Sequence, residues 1–108
     1  MPKRTRLHHD ALLEHLQDPR AAAHYLNAAL EDSDAMLLVA LRNVAEASKM
    51  SKVAEKAGIS RESIYRMLSE SGNPTYDSFT AILRALGLRI AVEADIAGAG
   101  HKPQPKPS

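Results

Sequence analysis

The stretch "VAEKAGISRESIYRML", Val53 to Leu68, constrains the fold of this chain more than any other. It reads as two short helices joined by a turn at Gly58. Ala54 is small, as a residue must be where two helices approach closely. Gly58 follows four residues later, where the turn wants a residue tolerant of positive φ. Ile59 can plug the space between the helices, and Ser60 is a good N-cap for the second one. An α-helix advances about 100° per residue. With Arg61 at zero, Tyr65 falls at about 40°, Glu62 at about 100° and Arg66 at about 140°. Ile64, Met67 and Leu68 fall at about 240° to 340° on the buried side, with Ser63 at the boundary.

This is the pattern a DNA-binding helix-turn-helix needs. The second helix lies in the major groove, and its N-terminal residues meet base edges. Arg61 and Arg66 can each grip guanine O6 and N7, and Glu62 can accept from cytosine N4. Tyr65 can touch a thymine methyl or a phosphate. Lys49, Lys52 and Lys56, on or near the first helix, are candidates for phosphate contacts. So are Asn73 and the free N–H groups that start a helix near Thr75. The same pattern also occurs in helical proteins that never meet DNA, where a polar face is simply solvated.

The remainder of the chain reads as a helical scaffold around this motif. Residues 1–9 form a basic arm. "HDALLEHLQ" is a short helix with Asp10 as its cap. "DPRAAAHYLNAAL" restarts with Asp18 as N-cap and Pro19 in the first turn, and Tyr25, Leu26, Ala29 and Leu30 form its apolar stripe. "EDSDA" interrupts, offering Ser33 or Asp34 as the next cap. "MLLVALRNVAEASK" is the longest helix, buried through Met36, Leu37, Val39 or Ala40, Leu41, Val44 and Ala47. After the motif (51–69), "ESGNP" is a turn. "TYDSFTAILRALG" is a helix capped by Thr75 and stopped by Gly87, with Phe79, Ile82, Leu83 and Leu86 as its stripe. "LRIAVEA" then alternates with a period of two, the pattern of a β-strand. A lone strand leaves its backbone groups unpaired. Leu88, Ile90 and Val92 are therefore expected to pair with a second copy and form a dimer interface. Residues 95–108 are a Pro- and Lys-rich tail expected to be disordered. The expected fold is one all-α domain over 10–94, with five to six helices and a short C-terminal strand.

Composition narrows the function. The 108 residues carry a net charge of only +1. Residues 1–48 hold five Lys/Arg and seven Asp/Glu, a balance of −2. Residues 49–108 hold nine and six, a balance of +3, so the positive surplus accompanies the motif. There are no cysteines, hence no disulfide, thiolate metal site or cysteine nucleophile. No apolar run approaches the roughly 20 residues of a spanning helix, and the start lacks a secretory pattern, so a cytoplasmic protein is expected. The five histidines include no H-E-x-x-H pair, and there is neither a G-x-S-x-G elbow nor a phosphate-gripping glycine loop. His8, His9 and Asp10 read as a solvated terminus. No enzyme, no cofactor and no metal are expected.

The stretches "GISRESIYRMLSESGNPT", "ALGLRIAV", "LQDPRAAAHYLNAALED" and "LLVALRNVAEA" give the chain a specific resemblance. It resembles the addiction-module antidote proteins, relatives of the HigA-type antitoxins, within the lambda-repressor-like helix-turn-helix group. The resemblance covers about residues 10–94. It implies an autorepressing antitoxin of a type II toxin–antitoxin module, with an operator in double-stranded DNA and a RelE/HigB-type RNA-cleaving toxin as partners. Carried over by position, Ser60, Arg61, Glu62 and Arg66 fall at base-contacting places and Asn73 at a phosphate-contacting one. In one place the chain departs from the family pattern. Members often have an Arg-Gly pair ahead of the motif's first helix, where Ser48-Lys49 stand here. The alternatives are an orphan phage-type regulator without a toxin, and an antidote that acts by protein contact and does not bind DNA.

Overall fold

The computed structural model describes residues 11–95. The basic arm, the Asp10 cap, the His8–His9 pair and the chain beyond Asp95 lie outside them. Six helices pack in sequence: α1 (its described part 11–15), α2 (Pro19–Asp32), α3 (Asp34–Ala47), α4 (Met50–Ala57), α5 (Arg61–Met67) and α6 (Tyr76–Ala85).

Local chemistry sets the boundaries. The Asp18 carboxylate accepts from the Arg20 amide at 3.3 Å, and Pro19 occupies the first turn, where its missing N–H costs nothing. A single residue, Ser33, separates α2 from α3. Its extended backbone ends α2 by donating to Ala29 O at 3.1 Å, while its hydroxyl caps α3 by accepting from the Met36 amide at 3.0 Å. With so short a link the two helices form a hairpin, further tied by Asn43 Nδ2 donating to the Tyr25 hydroxyl at 2.8 Å. Gln17 Nε2 donates to Ala47 O at 3.0 Å and fixes the end of the first helix against the end of α3.

One core results. Leu16, Leu41, Val44, Val53, Ile64, Leu68 and Ile82 are its most fully buried side chains. They come from α3 to α6, from Leu16 after α1 and from Leu68 after α5, so the short motif helices are fastened to the scaffold. Burying a side chain of this size contributes about 1.5–3 kcal/mol.

Three sequence expectations fail. Met36 does not join the buried face of α3, and Leu30 does not join that of α2. They are 39% and 48% exposed beside the Ser33 corner. The third is the strand. Residues 88–95 have no regular secondary structure, so the described residues contain no C-terminal strand. What read as the first apolar position of a strand belongs to a helix stop. Gly87 has φ 78° and donates to Arg84 O at 3.0 Å, and Leu88 donates to Leu83 O at 2.9 Å. These are the two bonds of a Schellman motif, which places an apolar residue after the glycine back against the helix. Leu88 accordingly packs on the core, whereas Ile90 and Val92 remain exposed. In one chain this segment finds no strand edge to pair with.

Candidate nucleic-acid interface

The turn between α4 and α5 is built as its residues require. Gly58 adopts φ 72°, ψ 30°, the left-handed region. Its amide donates to Glu55 O at 3.3 Å and that of Ile59 to Ala54 O at 3.1 Å, again a Schellman stop. A Cβ at Gly58 would meet nothing within 4 Å, so glycine is needed here for its backbone and not for space. Ile59 is half-buried against the core. Ser60 Oγ accepts from the Ser63 amide at 3.1 Å and starts α5.

Helix α5 divides as its spacing predicts. Ile64 and Leu68, just after the helix, are wholly buried, with Met67 and Ser63 intermediate. Arg61, Glu62, Tyr65 and Arg66 are exposed. The exposed side is partly organised. Arg66 Nη2 donates to Ser63 Oγ at 3.2 Å, and Ser60 Oγ donates to the same oxygen at 2.9 Å. Ser60 is thus committed to capping as well as exposed. Arg61 and Glu62 point outward at the start of the helix.

Tyr65 brings in two residues that sequence reasoning missed. Its hydroxyl donates to Glu46 Oε2 on α3 at 3.2 Å. Partial burial and then the Glu46 carboxylate raise the Tyr65 pKa above 10.0, while Arg61 and Arg42 oppose the rise. Arg42 lies one turn before Glu46 on α3, and its Nε is buried without a hydrogen-bond partner. So the outer face of α5 is not a free fan: Tyr65, only 39% exposed, is drawn towards the end of α3. Arg42 and Glu46 are at i and i+4 on a helix, a spacing that gives no sign that Glu46 would reach across to α5.

The candidate phosphate contacts fall in two places, along α4 and just before α6. Lys49 joins α3 to α4 and has φ 72°, ψ 107°, the one positive φ among the described non-glycine residues. Asn73 is exposed in the loop after α5. Thr75 Oγ1 accepts from the Ser78 amide at 3.1 Å, so its hydroxyl caps α6. Lys52 and Lys56 follow Lys49 along α4, about one and two turns on, and line a cleft between α4 and the end of α6. No helix among the described residues is long and apolar enough to cross a membrane.

Comparison with known proteins bears on this geometry. The family model described as "Probable addiction module antidote protein" matches residues 7–94, and so covers the scaffold and the motif together. An uncharacterized protein of Haemophilus influenzae is 42% identical over 81 residues, 74% of this chain and 84% of the relative. No solved structure matches the chain.

Proposed function

We propose that this chain, which belongs to the family of probable addiction module antidote proteins, neutralises a toxin and represses its own genes by binding operator DNA through α5. Family membership supports the antidote role. The observation that carries the DNA reading is α5 itself. This helix of seven residues is anchored by a wholly buried Ile64 and turned by a left-handed glycine, and it presents two arginines and a glutamate to solvent from its first turns.

In this reading α5 enters the major groove. Arg61 and Arg66 read guanines and Glu62 reads cytosine. Tyr65, held by Glu46, contributes an apolar edge or a phosphate contact. Lys49, Asn73 and the first amides of α6 set the register on the backbone. The relation is to HigA-type, lambda-repressor-like antitoxins of type II modules, and the partner is a RelE/HigB-type toxin. One recognition helix reads too few base pairs to select one genomic operator, so the protein works as a dimer with two such helices about one DNA turn apart. It acts by binding, without catalysis, in the cytoplasm.

The test is fluorescence anisotropy on the DNA upstream of the protein's own gene, against scrambled DNA, at two salt concentrations. Preferential binding that Arg61→Ala or Arg66→Ala weakens by about 1–3 kcal/mol is expected. Equal binding to both DNAs would refute sequence-specific readout. Co-expression with the neighbouring reading frame tests the other half: a toxic product relieved by this chain is expected.

A further inference from the structure

Among the described residues only Arg42 has a buried side-chain nitrogen or oxygen without a hydrogen-bond partner, its Nε. A buried donor left unpaired has given up its hydration for nothing, and a charged one most of all. An acceptor stands one turn away. Glu46 is four residues on along α3, the spacing at which an arginine and a carboxylate can meet on a helix. Yet among the described residues no ion pair joins the two, and Glu46 Oε2 instead accepts from the Tyr65 hydroxyl of α5 at 3.2 Å. One carboxylate thus has two donors within reach and serves the neutral one. Basic-before-acidic is the weaker order for such a pair along a helix, which leaves Glu46 available to Tyr65.

We propose that these three side chains exchange partners when α5 meets DNA: Glu46 turns from Tyr65 to Arg42, and the Tyr65 hydroxyl passes to a backbone phosphate. The inference rests on the operator reading above. Tyr65 shares the outer side of α5 with Arg61 and is 39% exposed, so a DNA strand lying along that side brings phosphates to its hydroxyl. Arg61 and Arg42 both bear electrostatically on that hydroxyl, a setting that suits an anion. A bare Glu46 carboxylate would repel the same phosphate, and pairing with Arg42 compensates its charge as the phosphate arrives. The hydrogen bonds balance. Glu46 keeps a donor, Arg42 Nε gains an acceptor, and Tyr65 trades a carboxylate for a phosphate. Arg42 and Glu46 are then positioning residues that act on DNA through each other and through Tyr65, without touching it.

A double-mutant cycle tests this by fluorescence anisotropy of the full chain on operator and scrambled DNA at two salt concentrations, with circular dichroism as the check on folding. Arg42→Met keeps the apolar stem and leaves Glu46 uncompensated in the complex, so operator affinity should fall about fivefold or more. Tyr65→Phe should weaken binding by a similar factor. Glu46→Ala should bind within about twofold of wild type, because the hydroxyl is free and the repelling charge is gone. In the Glu46→Ala background Arg42→Met should then have almost no effect. A direct contact between Arg42 and phosphate predicts otherwise: the same loss in both backgrounds, with the salt slope reduced by about one in each. That result would overturn the exchange, as would a Glu46→Ala protein that binds much more weakly than wild type.

The wild-type protein supplies a second reading. In nuclear magnetic resonance spectra the Arg42 Nε–H signal should move downfield when operator DNA is added, and should stay in place in Glu46→Ala. An unmoved signal in the wild-type complex would refute the exchange even if every affinity changed as expected. Wild type that prefers no operator removes the DNA reading and the exchange with it, whereas equal Arg42→Met losses on a genuine operator remove the exchange alone.

Discussion

Replacing Lys49 by glycine should make this protein more stable and a poorer DNA binder. Lys49 is the whole link between Ser48, which ends α3, and Met50, which starts α4. Its amide donates to Glu46 O at 3.0 Å, and its carbonyl accepts from the Lys52 and Val53 amides at 2.9 and 3.2 Å. The residue is thus bound to both helices and sits at φ 72°, ψ 107°, a positive φ that costs glycine less than a residue with a Cβ. Holding a non-glycine residue in such a region costs about 1–3 kcal/mol. Glycine removes that strain but adds unfolded-state entropy worth about 0.5–1 kcal/mol. The net gain is about 0.5–2 kcal/mol, and each kcal/mol raises the melting temperature of a domain this size by about 4–8 °C. Lys49→Ala is the control, because it removes the same charge and keeps the strain. Thermal melts should place Lys49→Gly clearly above both wild type and Lys49→Ala. If the lysine is retained for a phosphate, both variants should bind operator more weakly, with the salt slope reduced by about one. Lys49→Gly melting no higher than Lys49→Ala would refute the strain argument. Undiminished binding by both would refute the phosphate role.

Other perturbations follow from the same contacts. Gly58→Ala should cost about 1–2 kcal/mol in urea titration, from backbone strain alone, since the space beside Gly58 is open. Gly72→Ala should also destabilise, for the opposite reason: its Cβ would collide with the Met67 carbonyl, so the loop carrying Asn73 must move, and operator affinity should fall with stability. Ser60→Ala should cost about 1 kcal/mol through loss of the α5 cap. Tyr65 holds its proton more tightly folded than unfolded, so above pH 10.0 the folded state binds more protons and stability falls as pH rises. Tyr65→Phe should remove that part of the alkaline loss, as seen by comparing urea midpoints of the two proteins across that range.

The legible parts of the fold were those written in contiguous residues. Asp18-Pro19, Ser33, Ser60 and Thr75 mark helix starts by a chemistry that acts within three residues, and Gly58 and Gly87 mark stops in the same way. The buried and exposed sides of α5 follow from a rotation of about 100° per residue and needed no knowledge of the neighbours. Leu30 and Met36 were misread because periodicity reports which side of a helix is apolar, not whether another element reaches that far along it. Both sit at the Ser33 corner, where the hairpin turns and the core ends.

The strand was misread for a related reason. "GLRIAV" satisfies two local patterns at once: a helix stop with its apolar follower, and an alternation of apolar and polar residues. Leu88 serves both, and only its hydrogen bond to Leu83 decides between them. Once Leu88 is spent on the helix stop, the alternation keeps two apolar members, Ile90 and Val92, too few to hold a strand without a partner. The contact of Tyr65 with Glu46 was illegible for a stronger reason, since it depends on the angle at which α5 crosses α3. That angle depends on two turns, at Lys49 between α3 and α4 and at Gly58 between α4 and α5, and Lys49 holds a positive φ that no lysine predicts. The site is therefore joined to the scaffold both through these turns and through the buried Ile64 and Leu68. A change at Lys49 that alters the turn should move Tyr65 relative to Glu46, and should show first as a return of the Tyr65 pKa towards 10.0.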